Sequence, residues 1–290
     1  MLDFPRKHDF FVGVDSDGCA FDTMELKHKE CFIPNTIFYY NLQGVSKYAR
    51  EVAEFVNLYS KSRGINRFPS LVETLRWLGH RPEVRARGVR ITIPEGLAAW
   101  IQKEHRLGNP ALKKAVEESG DPDLQRALAW SEAVNKSIEW MVRGVPPFPY
   151  VRESLERLCR VADVLVVSAT PQEALRREWE EHDLGRYVAL ICGQESGTKK
   201  QFLQTASHYA PGRALMIGDA PGDYEAARAN GALFFPINPG AEEASWRRLF
   251  EEGIDRFLQG TFAGQYEEEL LAEFDRRLPA SPPWPVEDEA

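Results

Sequence analysis

The stretch FFVGVDSDGCAFDTM at residues 10–24 constrains the fold more than any other part of the chain. Its apolar run from Phe11 to Val14 predicts a short buried strand. Asp15 and Asp17 follow that strand directly, and Gly18 then permits backbone conformations that a side chain would forbid. Two carboxylates so placed converge at the carboxyl end of a strand, where open α/β sheets bind ligands. An ordinary Asp–Gly turn after a strand has the same local sequence.

Composition excludes several classes of protein. The 290 residues suffice for one large domain or two ordinary ones, and 43% hydrophobic with 28% charged residues is typical of a soluble globular chain. The net charge of −8 argues against a nucleic-acid binder, which needs a basic surface to neutralise phosphates. No run of 18 apolar residues is present, so we expect no membrane span.

The first residues and the cysteines predict a cytoplasmic setting. The first residues, MLDFPRKHDFF, lack the apolar segment of a signal peptide. The four cysteines show no CxxC spacing, so they predict neither a zinc site nor a disulfide framework. A reducing, cytoplasmic environment is the simplest expectation.

Apolar runs predict a parallel sheet. Beyond the first strand they lie at 161–167, 187–192, 213–217 and 232–236, with helical patterns between them. Alternating strands and helices predict an α/β fold, with a Rossmann-like parallel sheet and right-handed crossovers.

Residues 24–145 interrupt this alternation with helical patterns only, at 45–59, 70–78, 94–104, 110–118 and 123–141. Ser70 is predicted as an N-cap because Glu73 follows at the capping-box spacing. The segment ends in the stiff, proline-rich connector GVPPFP. An all-helical insertion and an independent helical domain fit this composition equally well.

The C-terminal part exceeds what the sheet needs. Helical patterns cover 244–258 and 262–278, and the proline-rich, acidic end at 279–290 is predicted to be loose. The sequence leaves open whether this part packs on the sheet or on a partner.

Three further polar motifs follow the later strands. Ser168 ends the second strand, Lys199 and Lys200 begin a helix, and Asp219 and Asp223 form a Gly-Asp-x-x-x-Asp loop. Each alone is common as a helix cap or a solvated lysine pair. Carboxylate oxygens are the ligands that Mg²⁺ prefers, so Asp219 together with Asp15 predicts a magnesium site.

Taken in order, these motifs resemble those of the haloacid dehalogenase-like hydrolase superfamily. Its first motif, Asp-x-Asp-Gly-x-x-x-Asp-Thr, matches residues 15–23, and its fourth matches residues 218–223. The Glu-Ser-Gly-x-Lys-x-x-x-Leu arrangement at 195–203 is similar to that of phosphoserine phosphatases and selects Lys199 over Lys200. The resemblance implies a catalytic core at 1–23 and 146–240, a helical cap at 24–145 and a C-terminal helical extension at 241–290.

The resemblance also implies roles for these residues. Asp15 is the nucleophile that forms an aspartyl-phosphate, and Asp17 is the general acid and base. Phosphoryl oxygens are held by Gly18, Ser168, Ala169 and Lys199. Mg²⁺ is held by Asp15, the Asp17 carbonyl, Asp219 and, directly or through water, Asp223.

The expected reaction is Mg²⁺-dependent hydrolysis of a small-molecule phosphate monoester. Asp17 points to phosphate-ester chemistry because the family's dehalogenases lack an acid there. A sugar phosphomutase of the β-phosphoglucomutase type, or a non-catalytic phosphate-binding protein, stays as an alternative. Arg63, Asn66 and Arg67 surround Gly64 in the helical insertion and are predicted to contact substrate, although a solvated loop is as consistent with the pattern. The substrate's identity and the oligomeric state are left open.

Overall fold

Five parallel strands form one sheet in the computed structural model, which describes residues 4–285. They are β1 (Phe10–Val14), β2 (Ala162–Val167), β3 (Leu190–Cys192), β4 (Ala214–Gly218) and β5 (Leu233–Pro236), in the order β3-β2-β1-β4-β5. The predicted Rossmann-like α/β fold is confirmed. The third strand is shorter than predicted because Gly185–Tyr187 forms a 3₁₀ turn before it.

Helices account for most of the remaining chain between residues 4 and 285. In chain order they are α1 (Thr23–Leu26), α2 (Ile33–Tyr39), α3 (Ser46–Leu58), α4 (Arg67–Gly79), α5 (Pro82–Ala86), α6 (Glu95–Lys103), α7 (Asn109–Ser119), α8 (Pro122–Met141), α9 (Val151–Leu158), α10 (Gln172–Glu181), α11 (Lys199–Leu203), α12 (Pro221–Ala229), α13 (Glu242–Arg248), α14 (Ile254–Gln259) and α15 (Gln265–Arg277). Single π-helical segments join α1 to α2 and α13 to α14, at Lys27–Phe32 and Leu249–Gly253.

The chain divides into two units by internal contacts. The sheet unit contains the described residues up to Met24 together with Arg143–Leu278. The helical unit contains Glu25–Val142 and the described residues from Pro279 onwards. The assignment of these parts as catalytic core, cap and extension stays a prediction.

Both faces of the sheet are buried, which explains the continuous apolar strands. Val12 and Val14 point into one apolar cluster with α9 and Trp179, while Phe11 points into another with α11 and α12. Alternate residues of a strand face opposite sides, so β1 contributes to both clusters. Because Val14 is in register with Val166 and Ile217, the carboxyl ends of β1, β2 and β4 lie at one edge.

The C-terminal helices α13, α14 and α15 pack on the sheet. The sequence had left open whether this part packs on the sheet or on a partner. Trp246 of α13 and Phe257 of α14 are fully buried in the cluster that holds Val12 and Val14. Glu267 of α15 accepts a hydrogen bond at 2.8 Å from the amide of Phe234, in the edge strand β5. These helices therefore cover apolar surface and an edge that would otherwise meet solvent.

Replacing Trp246 by alanine is expected to lower the free energy of unfolding by about 3–5 kcal/mol, because it empties a large buried volume. The variant also loses the hydrogen bond from the indole nitrogen to the carbonyl of Cys19, at 2.7 Å. Urea unfolding followed by far-ultraviolet circular dichroism measures the change. Trp140→Ala is the control, because that side chain is 66% exposed and its loss should shift stability by about 0.5 kcal/mol or less. Equal effects of the two substitutions would contradict this packing.

The helical unit has its own apolar core and contains no strand among its described residues. Helix α4 begins earlier than predicted: Asn66 is the N-cap, and its side chain accepts from the amide of Phe68 at 3.0 Å. The predicted N-cap Ser70 was wrong because its hydroxyl lies inside the helix and bonds to Asn57.

Pro279 and Trp284 make packing contacts, although the sequence predicts a loose end. The carbonyl of Pro279 accepts from the amide of Lys61 at 3.3 Å, and the Trp284 ring stacks on the guanidinium of Arg81 at 4.3 Å. The prediction of a loose end was wrong for these residues because an aromatic anchor holds them; 286–290 lie outside the described residues. Within 4–285, no helix is both long enough and apolar enough to cross a bilayer.

Candidate active site

The predicted site residues of the sheet unit lie where its strands end. Asp15 follows β1, Ser168 follows the neighbouring β2, and Asp219 follows β4 on the other side of β1. All three side chains are buried. The carboxyl edge of three adjacent strands thus presents acidic and hydroxyl groups together.

Lys199 joins the two acidic segments. Its ammonium donates to Asp15 Oδ2 and to Asp223 Oδ1, each at 2.6 Å. Lys199 is the first residue of α11, and a capping box between Thr198 and Gln201 fixes this helix start. The neighbouring Lys200 is exposed. The structure therefore brings Lys199, and not Lys200, to the carboxylates.

The carboxylates form a compact cluster. Oxygen atoms of Asp15, Asp219 and Asp223 all lie within 4.8 Å of one another. Asp223 is held by the amides of Asp219 and Ala220, which donate to its Oδ2 at 3.2 and 3.1 Å. If all are ionised, the three carboxylates carry three negative charges, and the ammonium of Lys199 brings one positive charge to Asp15 and Asp223.

Burial and charge shift the pKa values in this cluster. Burial raises the pKa of Asp15 well above its ordinary value; Lys199 opposes that shift, and the charges of Asp223 and Asp219 add to it. Burial alone would lower the pKa of Lys199, but the carboxylates of Asp15 and Asp223 outweigh it and raise that pKa. A bound cation would relieve the excess negative charge.

The residues fit a magnesium ion by the chemistry of their donors. Mg²⁺ takes hard oxygen ligands in a tight octahedron and usually keeps water or phosphate among them. Asp15, Asp219 and Asp223 offer such oxygens within one ion's reach, and they carry the charge that a divalent cation would neutralise. The ligand roles predicted for these three side chains and for the carbonyl of Asp17 stay predictions.

Two glycines are required by the backbone and packing around the cluster. Gly18 has φ = +74°, in the left-handed region that other residues rarely adopt. A Cβ on Gly218 would lie 2.6 Å from the side chain of Asp223. Gly18 therefore uses the conformational freedom of glycine, and Gly218 leaves space for the carboxylate of Asp223, which Lys199 binds.

Two threonines hold the carboxylate of Asp17. The Thr23 hydroxyl donates to Asp17 Oδ1 and the Thr170 hydroxyl donates to Asp17 Oδ2, both at 2.5 Å. Thr170 belongs to the loop after β2, and its amide donates to Ser168 Oγ at 3.2 Å. The loops after β1 and β2 are therefore tied together through Asp17. The predicted roles of Ser168 and of the exposed Ala169 in phosphate binding stay predictions.

Thr170 and Ser16 belong to this site but were not predicted from the sequence. Thr170 stands two residues after Ser168 at a strand end, which is a signal that was available. Ser16 separates the two acids, and its amide donates to Asp15 Oδ1 at 2.8 Å. Ser16 could not be predicted from this contact, because any residue type other than proline has a backbone amide that could make it.

The predicted substrate residues lie in the helical unit and make contacts within it. Arg63 is buried and donates to the carbonyl of Leu58 at 2.9 Å. Arg67 donates to Ser131 Oγ at 2.9 Å and to Asn135 Oδ1 at 2.7 Å, and burial lowers its pKa to about 10. The side chain of Asn66 donates to the carbonyl of Leu107 at 2.9 Å. Their contact with substrate stays a prediction.

The fold and the site define an α/β protein with a buried carboxylate–lysine centre at the carboxyl edge of a parallel sheet. No known family profile matches the sequence, and no curated protein matches it. Solved structures do match, and those similar to this chain include proteins named as hydrolases of the haloacid dehalogenase superfamily, as phosphoglycolate phosphatases and as a β-phosphoglucomutase.

Three of these structures illustrate the similarity. A predicted phosphoglycolate phosphatase from Haemophilus somnus is 14% identical, with 78% of this chain and 84% of that chain covered and a TM-score of 0.48. A hydrolase from Pseudomonas syringae is 15% identical, with 82% and 90% covered and a TM-score of 0.46. A superfamily hydrolase of subfamily IA from Geobacter sulfurreducens is 16% identical, with 80% and 88% covered and a TM-score of 0.37.

Proposed function

We propose that this protein is a cytoplasmic phosphatase of the haloacid dehalogenase-like superfamily that hydrolyses a small-molecule phosphate monoester. One observation carries the proposal: Asp15, Asp219, Asp223 and Lys199 form one buried cluster at the ends of β1 and β4. In the proposed role, this cluster supplies the nucleophile and the groups that bind a metal ion and the phosphoryl group. The ordered motifs in the sequence support the same reading.

The proposed reaction has two steps. A carboxylate oxygen of Asp15 attacks phosphorus in line, forming an aspartyl-phosphate as the bond to the ester oxygen breaks. Asp17 gives its proton to the leaving alkoxide. Asp17 then takes a proton from water, which attacks the phosphorus of the aspartyl-phosphate and releases phosphate and free Asp15.

Positioning and charge neutralisation supply most of the catalysis. Lys199 neutralises charge next to Asp15, and the two threonines keep the Asp17 carboxylate in place between the loops after β1 and β2. When bound by Asp15, Asp219 and Asp223, Mg²⁺ would supply further positive charge for the phosphate dianion.

A phosphate-release screen with Mg²⁺ tests the proposal. Sugar phosphates, nucleotides and phosphorylated amino acids are the compounds to compare, with Asp15→Asn as the blank. Release of phosphate by the wild type from at least one ester, absent in the variant, supports a phosphatase. Conversion of a sugar 1-phosphate to an isomer without free phosphate would instead show a mutase. No turnover of any ester, despite Mg²⁺ binding, would leave a phosphate-binding protein.

Activity is expected to require Mg²⁺ and to fall to near background with Ca²⁺. The three carboxylates suit a small octahedral ion, whereas Ca²⁺ accepts more ligands at longer distances and would let Asp15 bind through both of its oxygens. Rates after chelation, and then with each ion at saturating concentration, give the comparison. Equal rates with the two ions would contradict this account of the metal.

We further propose that Arg63 and Arg67 contribute to the choice of substrate. Replacing both by alanine is expected to raise KM for the physiological ester and to leave a small generic ester nearly unchanged. Since both guanidinium groups also bond to oxygens within the helical unit, the melting temperature is measured alongside. A lower melting temperature with equal losses for both esters would assign the two arginines to structure alone.

A further inference from the structure

Ser16 makes hydrogen bonds through its amide, its carbonyl and its hydroxyl in the loop after β1. It is fully buried between the two acids, and its amide holds Asp15 Oδ1 at 2.8 Å. Its carbonyl accepts hydrogen bonds at 2.9–3.3 Å from the three amides of residues 19–21. One backbone segment therefore orients the proposed nucleophile and shapes the turn that follows Asp17.

The side chain of Ser16 connects this segment to α10 by hydrogen bonds. Its hydroxyl donates to Glu178 Oε2 at 3.0 Å and accepts from the indole nitrogen of Trp179 at 3.0 Å. Trp179 is fully buried, and its ring meets Phe21 edge-on with centroids 5.8 Å apart. A hydroxyl with both a donor and an acceptor satisfied has one preferred orientation.

From this chain of contacts we propose that Glu178 is a positioning residue for Asp15, acting through Ser16. The inference rests on the proposed phosphatase function and assigns a part in it to a residue of α10. Lys199 holds Asp15 Oδ2 and the Ser16 amide holds Asp15 Oδ1, so the two contacts together fix the carboxylate. Glu178 fixes the residue that supplies the second contact.

Glu178 suits this role because it offers an acceptor oxygen to the buried hydroxyl of Ser16. Glu178 is only partly buried, and its carboxylate oxygen accepts the hydrogen bond of the Ser16 hydroxyl at 3.0 Å. An error of about 1 Å in the position of a reacting group lowers rates by about 10²-fold, so a loosened Ser16 is expected to show in kcat.

Three variants on one helix test the proposal. Glu178→Ala removes the acceptor, Glu178→Gln keeps an acceptor oxygen at the same place, and Glu180→Ala makes the same change at an exposed position of α10. Alanine favours helix, so the first and third variants should fold. For an ester that the wild type hydrolyses, Glu178→Ala is expected to lower kcat by about 10- to 100-fold with KM within about twofold. Glu178→Gln should recover most of kcat, and Glu180→Ala should match the wild type.

A second measurement does not depend on turnover. Hydrogen exchange of the residue-16 amide, followed by nuclear magnetic resonance, is expected to speed up in Glu178→Ala and to stay slow in Glu178→Gln and Glu180→Ala. If the wild type hydrolysed no ester, the proposed phosphatase function would be rejected. The exchange rate of the residue-16 amide would still test whether Glu178 holds Ser16 in place. The positioning role would be overturned if Glu178→Ala kept the kcat and the exchange rate of the wild type. It would also be overturned if Glu178→Gln recovered neither quantity.

Discussion

Asp15→Asn is expected to lower kcat by about 10⁴-fold or more, because an amide cannot form the covalent intermediate. The fold should survive the change. Burial already raises the pKa of Asp15, so the ionised carboxylate is held at a cost that asparagine does not carry. Lys199 keeps Asp223 as a partner at 2.6 Å in the variant. Phosphate release and the melting temperature are the two measurements.

The matched control for this charge removal is Asp9→Asn. Asp9 has a side chain that is 74% exposed and pairs with Arg6 at 3.1 Å, just before β1. Its loss should leave kcat unchanged. Near wild-type phosphate release by Asp15→Asn would show that this carboxylate is not the nucleophile. A collapse of both rate and melting temperature would show that Asp15 acts in folding.

Lys199→Met is expected to abolish turnover and to destabilise the metal-free protein by roughly 3–5 kcal/mol, the usual effect of removing one partner of a buried ion pair. The side chain of Lys199 is 20% exposed, and its ammonium bonds to two carboxylates that are almost fully buried. Without it, Asp15 and Asp223 lose their ion pairs and the three clustered carboxylates repel one another more strongly. Urea unfolding in the presence of a chelator measures the loss.

The pH dependence of that loss follows from the direction of the Asp15 shift. A carboxyl whose pKa is raised by folding binds more protons in the folded state than in the unfolded one, so its stability contribution is largest below the unfolded pKa. That contribution is lost as pH rises through the raised pKa of the folded state. Metal-free Lys199→Met should therefore regain stability as the pH falls from neutral towards the ordinary carboxyl range, about pH 4.

Lys200→Met is the control on the same helix. Lys200 is the next residue and is exposed, so its loss should change stability by about 0.5 kcal/mol or less and leave activity intact. Equal effects of the two substitutions would contradict the assignment of the ammonium to Lys199.

Much of the sheet unit follows from the sequence because parallel strands buried on both faces leave continuous apolar runs. The same physics places Asp15, Ser168 and Asp219 together, since residues after adjacent parallel strands meet at one edge. Lys199 was predicted from a family resemblance, because a lysine at a helix start is ordinarily solvated.

Other features could not be predicted because they depend on tertiary contacts. The hydroxyl of Ser70 finds Asn57 inside the helix, so local capping statistics mislead. The indole nitrogen of Trp246 donates a hydrogen bond to the carbonyl of Cys19, which lies 227 positions earlier in the chain. In the sequence, Glu178 looks like any other charged residue of an amphipathic helix. Only the structure shows that it accepts a hydrogen bond from Ser16.

Chemical capture of the intermediate tests the central claim most directly. The wild type, or Asp17→Asn to slow hydrolysis, is mixed with Mg²⁺ and a cleaved ester, quenched in acid and reduced with borohydride, which converts an aspartyl-phosphate to homoserine. Peptide mass spectrometry then locates the product. The account predicts homoserine at residue 15, dependent on the ester and absent in Asp15→Asn. Phosphate release with residue 15 recovered only as aspartate would contradict it.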